Sequence, residues 1–132
     1  MKYIDAKIAR LLINFFGDDD RRISHAMSVL FHAKRIAAER VGCDYDIIVA
    51  CALLHDVGIR PAEEKFGYND GNLQEEFGPL VAEELLLSID FPIEKIQTVK
   101  DIIGNHHSKS RFAYPELEVL KEADRIVNRE SE

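Results

Sequence analysis

Ile47-Ile48-Val49-Ala50-Cys51-Ala52-Leu53-Leu54-His55-Asp56-Val57-Gly58 is the stretch on which the reading of this chain turns. An unbroken apolar run from Ile47 to Leu54, with Asp44 or Asp46 in place to cap its start, predicts a helix from Ile47 to His55. A helix apolar on almost every side is buried all round. The run therefore marks the centre of the domain and ends in an imidazole beside a carboxylate, with glycine two positions on. Neutral imidazole and carboxylate are ligand types that borderline and hard divalent ions accept. A His-Asp pair means little alone; its weight depends on whether other elements send ligands to the same place.

Working outward, Ile4, Ile8, Leu11, Leu12 and Phe15 recur at helical spacing, giving an amphipathic helix over Tyr3–Phe16 that Gly17 ends. A second helix covers Arg22–Val41, capped from Asp18–Asp20 and closed by Gly42. Beyond Gly58, Pro61 suits the first turn of a short helix through Phe66, and residues 67–72 form a polar, glycine-punctuated loop long enough to act as a lid or a specificity element. Gly78-Pro79 breaks or begins a helix running to about Ser88. Pro92 starts another that carries Ile96, Val99, Ile102 and Ile103 up to His106-His107, and Pro115 opens the last. No stretch alternates with a two-residue period between turn signals. The expected fold class is all-α, a single-domain orthogonal bundle of six or seven helices packed around Ile47–Asp56.

Composition narrows the partners. The 132 residues fit one domain with a real core, and a net charge of −7 disfavours long nucleic acid and anionic membrane surfaces. A local metal or basic pocket could still take one small phosphate ester. Cys43 and Cys51 are too few for a disulfide framework, and no apolar run nears the ~20 residues of a membrane span. The expected setting is cytoplasmic, and the composition leaves room for a homodimer.

Among possible ligands, His25 precedes Val29, Ala33 and Ala37 at four-residue steps, His32 follows two turns later, and His106-His107 close a helix. Asp124 sits mid-helix among apolar neighbours, where a carboxylate must be paired, neutralised or metal-bound. A salt bridge to Arg125, Lys121 or Arg21 would satisfy it. For His106-His107 the plain alternative is a solvated helix C-terminus, where an imidazolium is favoured by the dipole.

In order, His25, His55-Asp56, His106-His107 and Ala123-Asp124, with the contexts His-x-x-x-Val, Leu-Leu-His-Asp-Val-Gly and Glu-Ala-Asp-Arg, the chain resembles the HD-domain superfamily of metal-dependent phosphohydrolases. The segments 61–67, 74–79 and 123–128 are similar to a group of small stand-alone HD proteins. The resemblance spans roughly 22–128 of a single HD-type domain over 1–132. It implies that His25, His55, Asp56 and Asp124 hold a divalent ion (Mn, Fe, Ni, Co, Zn or Mg), with one ion simpler than two. Asp56 would also bear on the attacking water, and His106 or His107 would face the phosphate or protonate the leaving oxygen, so Asp56, His106 and His107 are the candidate catalytic groups.

The chain also departs from the family pattern. Two-metal members need two further histidines; His106-His107 fits one position, and at the other stand Glu75 and Glu76. Glu76 and His106 are thus candidate additional ligands. The Glu-Asp pair that marks guanosine tetraphosphate hydrolases is absent, with Val57-Gly58-Ile59-Arg60 in its place. Glu63 and Glu64 read as a solvated helix face. Arg22, one turn from His25, and Lys109 are the candidate phosphate contacts. The implied activity is a phosphohydrolase cleaving a phosphomonoester or phosphodiester of a small molecule such as a nucleotide. The alternative is a non-catalytic module that binds metal and nucleotide for signalling.

Overall fold

The computed structural model describes residues 2–130. Among them the chain forms seven helices and no strand: α1 (Ile4–Phe16), α2 (Asp20–Ala38), α3 (Tyr45–Leu54), α4 (Ile59–Phe66), α5 (Gly71–Leu87), α6 (Ile93–Ile103) and α7 (Pro115–Glu130). The all-α expectation holds. No helix of the described residues is long and apolar enough to cross a membrane.

Every residue of α3 from Ile47 to Leu54 is buried. Asp44 caps the helix by accepting from the Ile47 amide, as the sequence suggested. α3 packs against α1, α2, α6 and α7, so its C-terminal end opens where several elements meet. α2 lies along both α3 and α7, and α5 along α6. α1 contributes Ile4, Ile8, Leu12 and Phe16 to the same core.

Two expectations fail around α5. The predicted loop over residues 67–72 is shorter: Gly67 ends α4 in the left-handed conformation (φ 81°), Asp70 caps α5 through the Leu73 amide, and Gly71 and Asn72 are already helical. Nor does Gly78-Pro79 break or begin a helix, since α5 runs through both. Pro79 withholds an N–H from the Glu75 carbonyl, yet packing keeps the helix going. A Cβ on Gly104 would come within 3.3 Å of the Pro79 ring, and one on Gly78 within 2.8 Å of Ile103, so α6 braces the segment.

Gly58 makes the closest approach among the glycines. A Cβ there would lie 2.6 Å from the Gln74 carbonyl oxygen and 2.7 Å from the Gly78 amide nitrogen. The chain leaving the His-Asp pair therefore touches α5 backbone to backbone, which draws the first turns of α5 towards the end of α3.

A candidate metal centre at the end of α3

Four elements deliver the histidines and aspartates. α2 carries His25 beside its buried row of Ala26, Val29 and Ala33; His55 ends α3 and Asp56 opens the following turn; α7 carries Asp124 next to buried Ala123. His106 and His107 come from the turn after α6.

His25, His55 and Asp56 offer donor atoms all within 4.8 Å of one another. His25 Nε2 lies 3.0 Å from Asp124 Oδ1 and 3.5 Å from Asp56 Oδ2; His55 Nε2 lies 3.2 Å from Asp56 Oδ2 and 3.5 Å from Asp124 Oδ1. Donors held at about 2.1 Å from one ion are separated by roughly 3.0 to 3.4 Å, so these spacings suit a shared cation. The plain alternative for Asp124 is not realised: its partners are imidazoles, with no ion pair to Arg125, Lys121 or Arg21 among the described residues.

Backbone carbonyls set the ring tautomers. His55 Nδ1 donates to Ala52 O at 2.8 Å and His106 Nδ1 donates to Ile103 O at 2.6 Å, which leaves the Nε2 lone pairs free. Both Nε2 atoms are fully buried and lack a hydrogen-bond partner. An orphaned buried nitrogen is costly, and a cation bound between His55, Asp56, Asp124 and His25 would satisfy the first of them. The donor set thus fits a divalent metal.

Charge in the cluster is self-compensating. Burial disfavours a charged His55, but Asp56 and Asp124 outweigh it and raise the imidazole pKa well above its ordinary value. Burial likewise pushes the carboxylates up, yet His55 and His106 bring Asp56 well below the usual range, and His25 and His55 do the same for Asp124. The two carboxylates thus set a field at His55 that favours positive charge there, the kind a bound cation would supply.

The α5–α6 side is different. Asp56, His106 and His107 form a second compact group, with His106 Nε2 3.8 Å from Asp56 Oδ1. Glu76, the candidate additional ligand, is exposed and outside both groups. Four residues before Gly78, and so on the face that meets Gly58, stands Gln74. Its amide donates to Asn69 Oδ1 at 2.8 Å, so its oxygen accepts from His107 Nε2 at 2.5 Å. Glu75 holds the same turn by accepting from the His107 amide and the Ser108 hydroxyl, both at 2.9 Å. Burial and neighbouring His106 keep the His107 pKa below its ordinary value.

The two predicted phosphate contacts stand in different surroundings. The Arg22 guanidinium borders the cleft by His25, but it is engaged by Glu63 through two bonds of 3.1 Å and by Asp19 at 3.1 Å. Glu63 is accordingly no free solvated carboxylate; it also accepts from Asn69 at 2.8 Å. Lys109 is exposed and borders neither cleft beside the cluster. Those clefts are of about 650 Å³, with His25, Asp56, Asn69 and Gln74 in its wall, and about 360 Å³, with His106, Asp124, Lys121 and Arg125. Sequence reasoning missed Gln74, Asn69 and Lys121. For Gln74 the signal that could have found it is its place four residues before Gly78, on the same helix face.

Comparison with known proteins bears on the whole arrangement. No curated protein matches. Among solved structures the chain is similar to a predicted HD superfamily hydrolase from an uncultured Thermotogales bacterium, with 30% sequence identity and a TM-score of 0.70. The match covers 92% of this chain and 66% of that one, just under two thirds of its length. A family model described as HD domain matches residues 22–129, from the start of α2 nearly to the end of α7. The chain belongs to the HD-domain family.

Proposed function

We propose that this protein is a metal-dependent phosphohydrolase acting on a phosphomonoester or phosphodiester of a small molecule, with nucleotides the first class to test. The observation that carries the reading is the convergence of His25, His55, Asp56 and Asp124 around buried, unpartnered imidazole nitrogen at the floor of open clefts. The structural relative described as a predicted hydrolase supports the same class.

His25, His55, Asp56 and Asp124 are the residues that would hold the ion. A bound divalent cation supplies Lewis acidity and an acidified water. The protein's own groups do the rest. Asp56 turns one oxygen to His55 and the other towards His106, so it can hold the attacking water by a hydrogen bond between the two. His107, fixed by Gln74 with its proton on Nε2, keeps Nδ1 free to take or relay a proton on the substrate side. Arg22, bound to Glu63, braces α2 against α4 and holds the wall of the larger cleft. Gln74 in place of a histidine favours one ion over two, since a neutral amide is a poor substitute for imidazole or carboxylate.

The test is metal analysis of the purified protein together with a panel of phosphatase and phosphodiesterase substrates in added manganese, cobalt or nickel. We expect close to one ion per chain and hydrolysis that falls at least about a thousandfold in Asp56→Ala and Asp124→Ala. A metal-free wild type whose behaviour is unchanged by Asp56→Ala would refute the reading. Nucleotide binding without any product would favour the signalling module instead.

A further inference from the structure

The cleft of about 360 Å³ differs in charge from the rest of the molecule. The chain has 24 acidic against 17 basic residues, and some of its cations are already neutralised. Arg22 pairs with Asp19 and Glu63, Lys34 with Asp5, Arg40 with Glu122, Lys95 with Asp44 and Asp46, and Lys100 with Glu83. Of the cations that make no ion pair among the described residues, Lys121, Arg125 and Arg129 are three that gather at this one cleft. They stand four residues apart on α7, so they line one face, and all three border this cleft. None forms an ion pair among the described residues. Lys121 Nζ donates instead to the Ser108 carbonyl at 2.6 Å and the Ser110 hydroxyl at 2.7 Å.

Like charges at successive four-residue steps weaken a helix rather than support it. The arrangement therefore calls for an anion from outside. Asp124, the one carboxylate in the wall, is committed to His25 and His55. Together with His106 it places the inner end of the cleft at the candidate metal centre. The larger cleft opposite is furnished with Ser24, Ser28, Asn69 and Gln74, and Arg21 is its cation without an ion pair among the described residues.

From this asymmetry we infer that the substrate carries a second phosphate group, gripped by Lys121, Arg125 and Arg129 while the reacting phosphate sits at the His55-Asp56 centre. Its uncharged, hydroxyl-rich remainder lies in the larger cleft. The inference rests on the phosphohydrolase reading above. Hydrolysis adds water to the reacting phosphorus and breaks its bond to the leaving oxygen, which takes up a proton; the second phosphate is a handle and is left unchanged.

Calorimetric titration of the metal-loaded protein with inorganic phosphate and with inorganic pyrophosphate tests the handle without needing turnover. Pyrophosphate should bind at least about tenfold more tightly than phosphate. The double variant Arg125→Ala/Arg129→Ala should lose about tenfold or more for pyrophosphate and less than about twofold for phosphate. Both arginines are exposed, so the fold should survive, which thermal melting checks, and Arg125→Lys/Arg129→Lys should recover part of the loss. Equal losses for the two anions, or none, would overturn the inference. Pyrophosphate preference that depends on the arginines, in a protein that hydrolyses no ester, would keep the handle and remove the phosphohydrolase reading. Ester hydrolysis indifferent to the double variant would do the reverse.

Discussion

On the α2–α3–α7 side of the site, His25, His55, Asp56 and Asp124 meet at 3.0 to 3.5 Å, each fixed by a packed helix or its end. On the α5–α6 side, His106 and His107 come from a turn, and the facing residue of α5 is a glutamine that occupies His107 Nε2. One half is a ready donor set with charges that compensate one another; the other is a hydrogen-bonded wall. The difference teaches that two groups of metal-capable residues sharing Asp56 need not be two equal metal sites. On the α5–α6 side the facing residue is an amide that holds His107 by a hydrogen bond.

Removing one donor from each half separates them most sharply. His25→Ala should weaken metal binding by more than about a hundredfold, a loss larger than that of an outer partner of a ligand. His107→Ala should retain the ion and lower hydrolysis roughly a hundredfold, the scale of one general acid or base. Metal content after dialysis and kcat on the same preparations check both; comparable metal loss in the two variants would erase the distinction.

Gly58→Ala probes the contact that brings the halves together. A methyl 2.6 Å from the Gln74 carbonyl and 2.7 Å from the Gly78 amide has only backbone to displace. Overpacking there should cost about 2–3 kcal/mol and lower Tm by roughly 10 °C. Because α5 must move away, His107 loses Gln74 while the four donors on the other side stay in place. The variant should therefore lose more activity than metal.

The smallest effect is on proton competition. Binding a cation needs His55 neutral, and the carboxylates beside it outweigh burial and raise its pKa, so apparent metal affinity should be lower at about pH 6 than at about pH 8. Stability of the metal-free form follows the opposite sign. A raised His55 pKa contributes stability below the unfolded value of 6.5, and this is lost as pH rises through the folded value. The lowered Asp56 and Asp124 contribute above 3.8 and are lost as pH falls through their folded values. Melting curves should show metal stabilising the fold more at pH 8 than at pH 6.

By itself the sequence determined the all-α class and the buried central helix from Ile47 to Leu54, while His25, His55, Asp56 and Asp124 were singled out as a set through the resemblance to the HD pattern. The first two are written locally, in helical periodicity, an unbroken apolar run and an aspartate cap. Tertiary structure alone decided that α5 passes through Gly78-Pro79, that Gln74 rather than Glu76 faces the site, and that Arg22 answers to Glu63. It also brought Lys121, Arg125 and Arg129 to a cleft beside the donors. These are relations between residues far apart in the chain. A helix drawn in by a glycine contact turns one of its residues inward and its neighbours outward, and a surface cation is free or neutralised according to which distant carboxylate packing brings within reach.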